Sequence, residues 1–148
     1  MKDKITLLKF NNYVNPNLSN YLLNKEDNNN NISEIIEHIR DNYDKDEVIP
    51  TILNIIESDI ESKNLIIYLD LINYYISIIS DLKIAFFKKL VSDKLQSILV
   101  FVTKAENRSI IYQFMIDYSQ LYGIDIVSLK KKFPIDKDMF LKYNSLFL

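Results

Sequence analysis

A single glycine, Gly123, stands among 148 residues, with three prolines and no Asn-Gly or Asp-Gly pair. Tight hairpins need backbone positions with φ > 0, which those residues normally supply, so a sheet built from hairpins has nowhere to turn. The same shortage removes the P-loop and the dinucleotide-binding fingerprint, whose glycines let backbone approach phosphate closely. The apolar residues are rich in Ile, a β-branched type that favours strands by propensity. Periodicity therefore has to decide, and it decides for helices.

Ile32, Ile35, Ile36, Ile39 and Tyr43 recur at i, i+3, i+4, i+7 and i+11, with Glu34, Glu37, Arg40 and Asp41 on the other side. Ile49, Ile52, Leu53, Ile56 and Ile60 repeat the pattern after Asp44 or Asp46, either of which can cap a helix whose first turn tolerates Pro50. From Ser62 onward, Leu65, Tyr68, Leu69, Ile72, Ile76 and Ile79 make one apolar face and Ile67, Leu71, Tyr75 and Ile78 another, which predicts a central helix buried on most sides. Residues 81–104 predict two helices or one kinked helix, with Ser92-Asp93 as the candidate break. Ile110 or Ile111, with Phe114, Met115, Tyr118, Leu121 and Tyr122, predicts a strong helix that Gly123 closes as its left-handed C′ residue.

Shorter helices are expected over residues 3–14, stopping before Asn15-Pro16, over 17–25, and over 125–133 before Pro134, while the asparagine run 28–31 reads as a loop. The whole predicts an all-α fold, a right-handed superhelix or multi-helix bundle of seven to eight helices. Residues 1–134 form one helical domain in this reading. Residues 135–148 are a C-terminal extension whose Met139, Phe140, Leu141, Tyr143, Leu146 and Phe147 suit a docked helix.

No cysteine and one histidine leave no disulfide, no Cys/His zinc pattern and no cysteine nucleophile, and give a Ser-His-acid triad only His38 to use. The chain is expected to be non-catalytic, with no cofactor and no metal. Asp41, Asp44, Asp46 and Glu47 straddle a loop at two helix ends, where capping and the helix dipole account for acids, and the glycine of an EF-hand loop is missing. A net charge of −2 and a pI near 5.4 argue against direct nucleic-acid binding. The apolar start around Ile5, Leu7 and Leu8 is too brief for a secretory signal, and residues 65–79 fall short of the ~20 that a membrane span requires. A soluble, cytoplasmic protein is expected, with membrane association only peripheral.

Several segments fall in a recognisable order. Ser33-Glu34-Ile35-Ile36-Glu37-His38-Ile39-Arg40-Asp41 resembles the second helix of VHS domains, and Tyr68-Leu69-Asp70-Leu71-Ile72-Asn73-Tyr74-Tyr75-Ile76 is similar to their central fourth helix. Phe86-Phe87-Lys88-Lys89-Leu90-Val91-Ser92-Asp93-Lys94-Leu95 resembles the stretch between a buried Phe and the next helix. Residues 110–123 are similar to the penultimate helix, with Tyr118 where the family commonly has Trp, and Val127-Ser128-Leu129-Lys130-Lys131-Lys132-Phe133-Pro134 resembles the closing helix and its Phe-Pro exit. The resemblance to the ENTH/VHS superfamily covers residues 1–134.

This resemblance implies a cytoplasmic adaptor of vesicle or endosomal trafficking, peripheral on endosomal or Golgi membranes, that binds a peptide sorting signal or a protein partner. Lys88, Lys89, Lys94, Lys130, Lys131 and Lys132 are its candidate partner-binding residues, a basic groove for an acidic sorting signal. Lysines near helix C-termini also serve simply to complement the dipole. The family's ubiquitin face is altered: by this register its Trp corresponds to Ser33 and its Leu to Glu37, and the Asn that often ends the central helix corresponds to Ile78. Two other readings share the helical pattern. One is a CTD-interacting domain reading the phosphorylated tail of RNA polymerase II, for which Asp70 stands one or two positions from the expected acidic or amide residue. The other is a structural or interaction bundle without adaptor kinship.

Overall fold

Helices form where apolar residues recur every three or four positions, and polar side chains, more than glycine, punctuate them. The computed structural model describes residues 13–24, 32–59, 63–102 and 104–132. Among these residues regular structure is entirely helical: α1 (Pro16–Asn24), α2 (Ile32–Asn42), a 3-10 turn (Lys45–Glu47), α3 (Val48–Ser58), α4 (Leu65–Ile78), α5 (Asp81–Leu99), α6 (Ala105–Asp117), α7 (Ser119–Tyr122) and α8 (Ile126–Lys132). The fold is the all-α multi-helix bundle that the periodicity predicts. Most of the predicted first helix, the predicted start at Ser62 and the extension 135–148 lie outside the described residues.

The Asn15-Pro16 pair, expected to stop a helix, starts one. Asn15 Oδ1 accepts the amides of Asn17 (3.0 Å) and Leu18 (3.1 Å), and Pro16 takes the first helical position, where a missing N–H costs nothing. Tyr13 and Val14, expected inside the preceding helix, belong to no helix. Asp44 caps the 3-10 turn by accepting the Asp46 amide (3.0 Å), and α3 follows directly with Pro50 in its first turn. Ser92-Asp93 breaks nothing: Ser92 is buried within α5 and accepts a hydrogen bond from Gln96 Nε2 one turn on (3.0 Å).

The predicted helix through Tyr122 is interrupted at Tyr118, where the backbone leaves helical geometry (φ −111, ψ 23) before α7 resumes. Gly123, at φ +65, then ends α7, and the amides of Gly123 and Ile124 both return to the Ser119 carbonyl. A left-handed cap of this kind is where the chain's only glycine is needed.

The enclosed centre of the bundle is α3. It packs against α1, the 3-10 turn, α4 and α5, and eight of its eleven residues are buried. The helix expected to be central, α4, touches α2, α3, α5 and α6 yet buries only seven of its fourteen residues. Ile66, Asp70, Tyr74 and Ile78, spaced four apart, stay open along a stripe about 18 Å long. Apolar composition says how much surface a helix would gain by burial. It does not say how much of that surface its neighbours cover. Beside the stripe, Tyr75 is buried, its hydroxyl without a partner among the described residues, and burial, with a smaller contribution from Tyr74, pushes its pKa up to about 12.

Candidate functional site

The lysines expected to form a basic groove are divided by the fold. Lys88, Lys89 and Lys94 lie on α5, and at about 100° per residue Lys89 and Lys94 stand roughly 100° and 240° around the helix from Lys88. Lys89 pairs with Asp93 one turn on (3.0 Å), and Lys94 reaches Glu57 of α3 (3.5 Å). Lys130, Lys131 and Lys132 make the last turn of α8, exposed at the negative end of its dipole. No single face of α5 carries its three lysines together.

Ser33 and Glu37 are exposed one turn apart on α2, a polar pair where a ubiquitin-binding face needs apolar area. Beside them His38 is half-buried: its ring stacks on Tyr21 (centroids 3.9 Å apart, planes 18° apart), Tyr43 lies 6.0 Å away, and Asn42 Nδ2 stands 3.4 Å from Nδ1. The imidazole joins α1 to α2 as a packing element.

The acidic cluster around residue 46 is occupied by structural bonds. Glu47 accepts from the Tyr13 hydroxyl (2.7 Å) and from Asn15 Nδ2 (2.9 Å), while the Asn15 amide donates to Thr51 Oγ1 (3.0 Å). Asp46 is buried and ion-paired through Oδ2 with Lys83 of α5. The hydrogen bond to Glu47, then burial and the charges of Glu47 and Asp44, raise the Tyr13 pKa. Among the described residues no three His, Asp or Glu side chains are gathered to hold a metal ion.

Among the described residues an open groove of about 160 Å³ lies instead between α4 and α6. Buried Leu69 and Phe114 form its floor, and Ile66 and Ile110 its apolar walls. Asp70 and Asp117 supply two carboxylates to the lining, and Tyr118, at the break between α6 and α7, adds a 40% exposed ring. Phe114 holds that ring (centroids 5.0 Å) and also contacts Tyr122 (5.8 Å), whose hydroxyl donates to Asn73 Oδ1 of α4 (2.6 Å). This aromatic column ties α7 to α4 and fixes one end of the groove. Burial raises the Tyr122 pKa, with Tyr118 adding to it.

The two carboxylates differ. Asp117 accepts from Gln113 Nε2 (2.6 Å) on its own helix. Asp70, exposed at the edge of the groove, has neither hydrogen bond nor ion pair among the described residues, and partial desolvation by the apolar side chains beside it raises its carboxyl above the ordinary range. A carboxylate in that position favours a cation that would arrive with a ligand.

Neither the groove nor Asp117 follows from periodicity, which does not say which helices become neighbours. Asp70 left a trace in the sequence, as the only charged residue in the fifteen from Leu65 to Ile79. An isolated charge in an otherwise apolar helix marks a place where burial stops. Among the described residues no helix is long and apolar enough to cross a membrane. Compared with protein-family models, with curated proteins and with solved structures, the chain shows no significant match.

Proposed function

We propose that this chain is a non-catalytic interaction module of the adaptor kind, which holds a short segment of a protein partner in the groove between α4 and α6. The observation that carries the reading is the open stripe on α4. Ile66, Tyr74 and Ile78 are 39%, 37% and 40% exposed on a helix whose other face is core, and the groove with its Phe114 floor lies beside that stripe. A run of large apolar side chains beside a concave apolar site is the kind of surface proteins keep for binding. An apolar space of about 150 Å³ is enough for a benzene-sized group, so this groove suits one large side chain of a ligand.

The finer reading, a cytoplasmic VHS-like adaptor of endosomal trafficking, rests on the order of the sequence segments that resemble that family. An acidic sorting signal would have to meet lysines that α5 distributes around its circumference, and ubiquitin would have to meet Ser33 and Glu37 without an apolar contact. The groove asks for neither, so we place the docking surface there.

The test is a selection of random displayed peptides of about 16 residues, roughly 24 Å as a helix, on the full chain, followed by amide-resolved NMR with the selected peptides and, separately, with monoubiquitin. Shifts clustered on Ile66, Ile110, Phe114 and Tyr118, lost in an Ile66→Glu variant that unfolds at the wild-type temperature, are expected. A selection that enriches nothing, or shifts confined to Ser33 and Glu37 or to Lys130, Lys131 and Lys132, would sink the groove as the docking site.

A further inference from the structure

We infer that the partner segment is a short amphipathic helix carrying Lys or Arg beside its apolar stripe, with the cation received by Asp70 and Asp117. The inference rests on the groove being the docking site. Three observations lead to it, and they concern shape, backbone and charge.

The surface has the shape of a helix's footprint. The stripe of Ile66, Tyr74 and Ile78 runs about 18 Å along α4, which is some three turns of a partner helix, and the groove at its Ile66 end takes one inserted side chain. Helices that dock on helical grooves present anchors at such spacings. An extended ligand would bring backbone N–H and C=O groups against an apolar wall. Among the described residues no strand edge is present to pair with them. A helix arrives with its backbone bonds already made.

The charge is the more specific clue. Both groups in the groove lining that carry a charge at neutral pH are acids, and the lining holds no lysine or arginine. Elsewhere on the molecule acids that reach toward the core are answered: Asp46 by Lys83 at Oδ2, and Glu47 by Tyr13 and Asn15. Asp70 alone interrupts an apolar helix, lies half in an apolar groove and has no answering cation or donor among the described residues. Its cost to the free protein is recovered when a cation reaches it from outside, since an opposite charge nearby favours the ionised carboxylate. An acidic ligand would meet repulsion here. Specificity for cationic over anionic helices is thus written into the lining.

The experiment reads the composition of the selected peptides and its dependence on charge. Peptides enriched on the full chain should carry Lys or Arg within one turn of a Leu, Ile, Met or Phe anchor. Replacing that cation by Glu should weaken binding about tenfold or more, and added salt should weaken the cationic version only. Asp70→Lys should reverse the order, so that the Glu-bearing peptide binds better than the Lys-bearing one, and Asp117→Lys should shift it the same way by less. Asp70→Asn, which adds no charge, should lose the preference without inverting it and serves where a lysine disturbs folding. Selected peptides that map to the groove but are neutral or acidic, or that ignore Asp70→Lys, would overturn this inference and leave the groove reading standing. Self-association through the groove, seen as a concentration-dependent mass that Asp70→Lys abolishes and that no selected peptide competes with, would make a second copy the occupant and overturn it too. A selection that enriches nothing removes the groove reading itself.

Discussion

Glu47 and Asp70 are both carboxylates beside a buried helix, and the protein treats them in opposite ways. Glu47 receives the Tyr13 hydroxyl and the Asn15 side-chain amide, so both of its oxygens work to hold the chain entering α1 against the start of α3. Asp70 receives nothing among the described residues and is pushed toward its neutral form by the apolar groove around it. The helices behind them differ in the same sense: each packs against four other elements, yet α3 buries eight of its eleven residues, whereas α4 leaves Ile66, Tyr74 and Ile78 partly open. One region puts its polar groups to use in stability. The other keeps them available, and availability in a folded protein normally carries a stability cost.

The largest test of this contrast is a pair of truncations. Ile56→Ala, in the fully buried face of α3, should destabilise by about 2–5 kcal/mol in urea unfolding, because a cavity is left that the surroundings only partly close. Ile66→Ala, on the open stripe, should stay within about 0.5 kcal/mol of wild type. Equal losses at both sites would mean that α4 is covered in solution.

Glu47→Ala removes the acceptor of two side-chain hydrogen bonds and should cost about 1–2 kcal/mol. It should also release the Tyr13 phenol toward its ordinary ionisation range, since the bond to Glu47 is the largest cause of its elevation, and an NMR titration of the assigned Tyr13 ring resonances reads that directly. Gly123→Ala should cost about 1–2 kcal/mol. Nothing lies within 4 Å of the added methyl, so the loss is purely the left-handed backbone, and Gly123→Asn should recover part of it.

Asp70→Asn should have the smallest effect and the opposite sign, a slight rise in melting temperature at neutral pH. Because the folded-state value of Asp70 is raised, its destabilisation is fully present above that raised value and disappears as pH falls below the unfolded one. The two melting curves should therefore converge in acid. An Asp70→Asn variant less stable than wild type at pH 7 would show that a cation already answers this carboxylate in the free protein.

The sequence made the helices legible because burial imposes a period on every helix that has one wet side. Ile32 to Tyr43 and the stripe from Ile49 to Ile56 read directly, and Gly123 stood where a left-handed cap was needed. Asn15-Pro16 could be read as a boundary but not as to which side was helical, since the residue before proline avoids helical backbone while proline itself suits a first turn. Ser92 looked like a cap because serine is good at both tasks. Only its burial against the bundle shows that it sits inside α5. The lysines of α5 seemed to gather because they are close in sequence, yet one residue is about 100° of helix, so neighbours in sequence diverge in space.

By itself, then, the sequence determined that the chain is helical, where most of the helices lie, and that cysteine and zinc-finger chemistry are absent, because these depend on residue type and local period. Which helix would be enclosed was a different matter. The composition of α4 predicts a centre, and its neighbours leave a stripe uncovered; that α3 takes the centre, and that Asp70 and Asp117, 47 residues apart in sequence, come to line one groove, was decided only by packing. The physical reason is that a helix's apolar stripe records that something covers it. The identity and extent of the cover are set by the angles and lengths of the other helices, which local periodicity does not encode.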